Sequence, residues 1–108
     1  MREKVIEQKL ISAVRRTGGL ALKFISPGFD GVPDRLILLP DGRVAFAEVK
    51  APGKKPRPLQ FYRMEQLRNL GFRVFVVDSE ESIDQVLSSI NKKEMCEGGV
   101  GGDRKAPQ

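Results

Sequence analysis

The 108-residue chain has no histidine and no tryptophan, one cysteine and one tyrosine. Without histidine the commonest metal ligand and general base are missing, so Ser-His-Asp hydrolases, zincins and histidine-dependent nucleases are excluded. A lone cysteine, Cys96, can neither close an intramolecular disulfide nor build a zinc site. No apolar run approaches the ~20 residues that span a bilayer. Residues 1–4 lead into an amphipathic segment and not into a signal-peptide core. A cytoplasmic protein with no membrane partner and no organic cofactor is expected. Its chemistry must be done by carboxylates, lysines, arginines and hydroxyls.

What is present suits one small globular domain: 40% apolar and 31% charged residues. Nineteen Lys and Arg against fourteen Asp and Glu give a net charge of +5. Between Arg43 and Arg73 eight basic residues face two acidic ones, a local net of +6. That window, with Lys54, Lys55, Arg57 and Arg63, suits a polyanion; a solvated charged face is the competing reading.

Apolar spacing predicts a helix over 3–16 with Ile6, Leu10, Ala13 and Val14 as its buried stripe, stopped by Gly18-Gly19. Glu7 lies at the edge of that stripe, where it either snorkels to water or serves a site. Strands are predicted over 20–26, 34–39 and 43–50, with a loop over 27–31 and a turn at Pro40-Asp41-Gly42. Residues 51–58, with three prolines and three cations, form an exposed basic loop. A helix over 59–70 presents Gln60, Met64 and Leu67 on one face, with Pro58 near its first turn and Gly71 at its end. A strand over 72–77 is covered on both faces by helices. Asp78 or Ser79 then caps a last helix with Ile83, Val86, Leu87 and Ile90 as its stripe. The expected class is α/β, in the order αβββαβα, with a mixed central sheet flanked by helices. Residues 1–91 make the domain and 92–108 a disordered Gly-rich tail.

The hairpin turn decides which residues meet. A two-residue turn pairs Asp34 with Val49; a three-residue turn pairs Leu39 with Arg43 and Asp34 with Glu48. Pro40 suits the first central position of a type I turn and Gly42 the left-handed position after it, which favours the three-residue turn. Asp34 and Glu48 then face each other at a Cβ separation of about 5 Å, with Lys50 two positions along on the same face. Two facing carboxylates repel unless a divalent cation lies between them, and such hard oxygen ligands favour Mg2+ or Mn2+. Lys50 would stand beside the metal-bound water, an arrangement suited to phosphodiester hydrolysis.

Gly31-Val32-Pro33-Asp34 followed by Glu48-Val49-Lys50 resembles the signature of PD-(D/E)xK nucleases. Glu7, the element order, the basic loop and Gln60 agree with it, and over residues 3–90 the chain looks like the VRR-NUC family in its stand-alone phage or prophage form. The resemblance implies a restriction-endonuclease-like core and metal binding by Asp34, Glu48 and the Val49 carbonyl. It also implies water activation by Lys50, and support of the metal or water by Glu7, through a water, and by Gln60. A backbone-bonding role at the helix start is the alternative for Gln60; for Tyr62, packing is expected ahead of stacking on a base. The implied activity is a structure-specific DNA endonuclease acting on branched DNA as a homodimer, a Holliday junction resolvase, in a bacterial host. A flap or fork nuclease, or a DNA-binding module with the fold alone, are the alternatives.

Overall fold

The computed structural model describes residues 1–91. The proposed tail 92–108, Cys96 and the side chain of Ile90 lie outside the described residues. The elements are α1 (Glu3–Arg16), β1 (Leu20–Lys23), β2 (Arg35–Leu39), β3 (Arg43–Val49), α2 (Pro58–Asn69), β4 (Arg73–Val77) and α3 (Glu80–Asn91). The sheet runs in the order β1-β2-β3-β4. Its first three strands are antiparallel neighbours and β4 joins β3 in parallel, so α2 is the crossover between them. This is the α/β arrangement expected from the sequence.

Strand alternation sorts the side chains to two faces. Ile37, Leu39, Ala45, Ala47, Val49 and Val77 pack with Ile6, Leu10 and Val14 of α1 and with Ile83 and Val86 of α3. Phe46, Val74 and Leu36 pack on the other face with Met64 and Leu67 of α2. Each fully buried aliphatic side chain contributes about 1.5–3 kcal/mol, so the larger cluster under α1 and α3 carries most of the stabilisation. Glu48 projects on the α2 side, next to Phe46 in alternation, where the apolar cover is thinner. α3 is capped by Ser79, whose Oγ accepts from the Ser82 amide at 3.1 Å.

The hairpin has the three-residue turn: Leu39 pairs with Arg43, Leu36 with Phe46 and Arg35 with Ala47. The turn itself departs from the type I expectation, because Asp41 as well as Gly42 is left-handed, at φ 69° and 72°. Aspartate tolerates that region better than most residues, and Arg43 braces the turn by donating to the Pro40 carbonyl at 3.2 Å. β1 is shorter than the expected 20–26 and ends at Lys23. Leu20 and Leu22 are exposed on the α2 side, since α2 packs on β3 and β4 and does not reach this edge. The chain then leaves the sheet through 24–34, held to it by a Phe24 amide to Asp34 carbonyl bond of 2.8 Å.

Gly31 docks this excursion on α2. Its φ is +90°, and a Cβ there would lie 2.8 Å from Leu59 Cγ and 3.2 Å from Arg63 Cγ. Gly31→Ala should therefore combine a left-handed alanine with overpacking and destabilise the fold by about 1–3 kcal/mol, read as a lower midpoint in urea. An unchanged midpoint would show that the loop does not bear on α2.

Candidate active site

One step beyond the last hairpin pair, the register sets Asp34 opposite Glu48. Asp34 has left the ladder, and its side chain takes over the bond that the ladder would have made: Oδ2 accepts from the Val49 amide at 3.0 Å. That bond fixes one Asp34 oxygen against β3. In extended backbone the N–H and C=O of one residue point to the same edge, so the Val49 carbonyl is turned toward Asp34 as well. On the other side, the Lys50 amide donates to the Val77 carbonyl at 2.9 Å and ties the end of β3 to β4. The catalytic candidates thus sit where β2 and β3 diverge, on backbone held from both sides.

Glu48 is only 1% exposed. Its Oε2 lies 3.3 Å from Lys50 Nζ, in an ion pair whose lysine side chain is 15% exposed. Its Oε1 is a buried oxygen with no hydrogen-bond partner. Burial, and next the negative charge of Asp34, push the Glu48 carboxyl up from 4.5 to about 7; the Lys50 ammonium and the Asp34 amide pull the other way and do not cancel them. A buried carboxylate oxygen without a donor costs about 1–3 kcal/mol or more, which calls for a cation or proton at that position.

The structure brings Asp34, Glu48, Val49 and Lys50 together, and gives Glu7, Gln60 and Arg63 partners elsewhere. Glu7 projects from α1 on the opposite side of the sheet, where its Oε2 accepts from Arg35 Nε at 3.1 Å and from an Arg35 terminal nitrogen at 2.8 Å. Among the described residues no third acidic side chain joins Asp34 and Glu48 in a metal-sized group. Arg35 also donates to the Ala21 carbonyl at 3.2 Å, so it bridges α1, β1 and β2 directly beside Asp34. Sequence reasoning passed over Arg35. Its signal was alternation, which turns the residue after Asp34 toward α1 and Glu7.

Gln60 is buried, and its Oε1 accepts from the Arg57 amide at 2.8 Å, the backbone role weighed for it. Lys54, Lys55 and Arg57 are exposed on the loop between β3 and α2, outside the ion pairs formed among the described residues. Arg63 is committed differently: Nε donates to the Asp30 carbonyl at 2.7 Å, and one terminal nitrogen to Gln66 at 2.9 Å. Tyr62, expected to pack, is instead 57% exposed.

The raised Glu48 pKa fixes the sign of a pH dependence. In the metal-free protein the folded state holds this proton more tightly than the unfolded chain. The associated stability is therefore complete below about pH 4.5 and is lost as pH rises through about 7. Between pH 5 and pH 8 in chelator, the thermal midpoint of the parent should fall relative to that of Glu48→Gln, which has no charge to bury. Parallel midpoints across that range would contradict the buried-carboxylate account.

No family profile matches the chain. "Putative nuclease p44" of Acyrthosiphon pisum secondary endosymbiont phage 1 is 48% identical over 91 residues, covering 84% of this chain and 97% of the relative. A solved structure described as a VRR_NUC domain superposes with a TM-score of 0.75 at 33% identity, over 80% of this chain and 94% of that one. Likeness at this level of identity, across nearly the whole of both relatives and with Asp34, Glu48 and Lys50 gathered on one face, assigns the chain to the VRR-NUC nuclease family.

Proposed function

We propose that this nuclease is a metal-dependent, structure-specific DNA endonuclease that resolves four-way junctions as a homodimer. The observation that carries the reading is Glu48: a carboxylate sunk into the sheet beside a second carboxylate, with one oxygen left without a donor. That orphaned oxygen, the free Asp34 oxygen and the Val49 carbonyl form a hard-oxygen donor set that fits Mg2+ or Mn2+, which keep several waters of their own. Such an ion, when bound, supplies a water nucleophile at neutral pH and offsets charge developing on the phosphate.

The chain's own groups do the rest. Lys50 holds Glu48 Oε2 through its ammonium and directs its remaining N–H donors at the attacking water or a phosphate oxygen. The Val49 amide holds Asp34 in one orientation. Glu7 supports the site indirectly, through Arg35, which anchors the start of β2 where Asp34 projects. Gln60 steadies the end of the basic loop by bonding the Arg57 amide. Lys54, Lys55 and Arg57 supply phosphate affinity that does not depend on base sequence. A four-way junction has two equivalent strands to cut, and a domain of this size carries one site, so a two-fold dimer matches the substrate.

A supercoiled plasmid that extrudes a cruciform tests the chemistry and the assembly together. With Mg2+ or Mn2+ the parent should yield linear plasmid in one encounter, and light scattering at micromolar concentration should give twice the chain mass. Asp34→Ala and Glu48→Ala should reduce cutting by at least about a hundredfold while still binding DNA, and Lys50→Ala should cut poorly with its metal site still filled. Undiminished cutting by either carboxylate variant would end the metal-site assignment. Nicked circles from a monomer would replace the resolvase reading by a flap or fork nuclease.

The basic loop has its own readout. Replacing Lys54, Lys55 and Arg57 together by Ala should weaken binding to DNA of any sequence and flatten the slope of log affinity on log salt by up to about three units. An unchanged slope would leave the loop as a solvated surface.

A further inference from the structure

Phe29, Arg63 and Tyr62 form a column on the outside of α2. The Arg63 guanidinium carbon lies 3.8 Å from the centre of the Phe29 ring and 5.7 Å from that of Tyr62. Both rings remain open to solvent, 44% for Phe29 and 57% for Tyr62, and Leu59 beside them is exposed as well. Exposed aromatic side chains that are grouped, and not scattered singly, mark an interaction surface. Arg63 at the centre of the group is held by the Asp30 carbonyl and by Gln66, and Gly31 lets the loop close against Leu59 and Arg63.

Its position relates it to the cutting site. Phe29 precedes Asp34 by five positions, so the two backbones are at most about 18 Å apart. One strand of DNA covers that distance in roughly five phosphates at 3.4 Å each. The cationic loop with Lys54, Lys55 and Arg57 runs directly into α2, whose second turn carries Tyr62 and Arg63, so the exposed cations and the rings follow one another along the chain. Every base has a face that stacks on an aromatic ring, but only a base freed from the duplex stack can use it. At a branch point the last base pair of an arm can lose the continuous stacking neighbour that every pair has in intact duplex, so a base is most easily freed there.

We infer that the Phe29, Arg63 and Tyr62 column is a stacking platform for an unstacked base at a DNA branch point, and that it selects branched DNA over duplex. The inference rests on the nuclease reading above and names its specificity determinant. Tyr62 is the more useful probe, because it is more exposed and lies farther from Arg63 than Phe29, whose ring also braces the loop.

The test uses the full chain in chelator, where no cutting occurs. It needs two probes: a four-way junction with 2-aminopurine at the branch, and a paired duplex with 2-aminopurine in mid-strand. Binding by the parent should change the fluorescence of the branch probe and leave that of the duplex probe as it is. Tyr62→Ala, with an unaltered melting midpoint, should abolish the change and lower the preference for junction over duplex about tenfold. Tyr62→Phe and Tyr62→Trp should keep both. Phe29→Ala should lose the signal too, though with some loss of stability. An undisturbed preference and signal in Tyr62→Ala, or equal weakening on both probes, would overturn the platform. Parent protein that cuts junctions in Mg2+ without any fluorescence change would also overturn it and leave the nuclease reading intact. A fluorescence change without cutting would reject the nuclease reading and keep the platform.

Discussion

The structure is organised around a carboxylate buried where a carboxylate is expensive. Glu48 occupies a position on β3 that alternation alone would give to an apolar residue, between Phe46 and the end of the strand. Its neighbour Asp34 adds repulsion, and Lys50 answers only one of its two oxygens. In metal-free protein the compromise is partial protonation near neutrality. A divalent ion held there would resolve it, and the strain that lowers stability would then add to the ion's affinity. On the proposed function, stability and activity would be opposed at this one residue, as they commonly are in active sites.

Holding two such groups in place requires backbone that does not yield. Here the two faces of the sheet divide the task. The α1 and α3 side supplies the large apolar cluster and, at its edge, the Glu7–Arg35 pair that secures the start of β2. The α2 side carries the smaller apolar cluster and takes the buried Glu48–Lys50 pair. Lys50 is anchored to β4 through its amide, and Asp34 to β3 through its side chain, so the two ends of the site are fixed by different strands. The parallel β3–β4 pairing matters for this, because it places the crossover α2, and with it the cationic loop, directly after the last candidate catalytic residue.

Much of this was legible in the chain because alternation and turn chemistry are local. Pro40 and Gly42 selected the three-residue turn, and the turn then determined every hairpin pair, including the meeting of Asp34 with Glu48. Ser79 announced the start of α3, and Gly18-Gly19 the end of α1. The turn's own dihedrals were less accessible, because aspartate at position 41 can follow either of two conformations with the same register. The end of β1 was hidden too: Phe24, Ile25 and Ser26 continue an apolar pattern, yet only Phe24 finds apolar cover, against Phe46, while Ile25 is exposed as the chain leaves the sheet. The partners of Glu7 and Arg63 were not legible, for one reason. Each has a long side chain whose partner comes from a segment distant in sequence, Arg35 for one and the 29–31 loop for the other.

Arg63 shows how such a partner changes the meaning of a charge. Counted in a window of net positive charge it is one more phosphate contact, like Lys54 or Lys55. In the fold its Nε and one terminal nitrogen are already spent on Asp30 and Gln66, and its planar face is laid on Phe29. A lysine could not do this, since an ammonium offers neither the fork of donors nor the flat surface. The residue therefore works chiefly by arranging the surface around it: it joins the loop that carries Asp34 to the helix that follows Lys50. Net charge measures how strongly a domain of this kind attracts DNA, but the commitments of individual arginines determine what that DNA meets when it arrives.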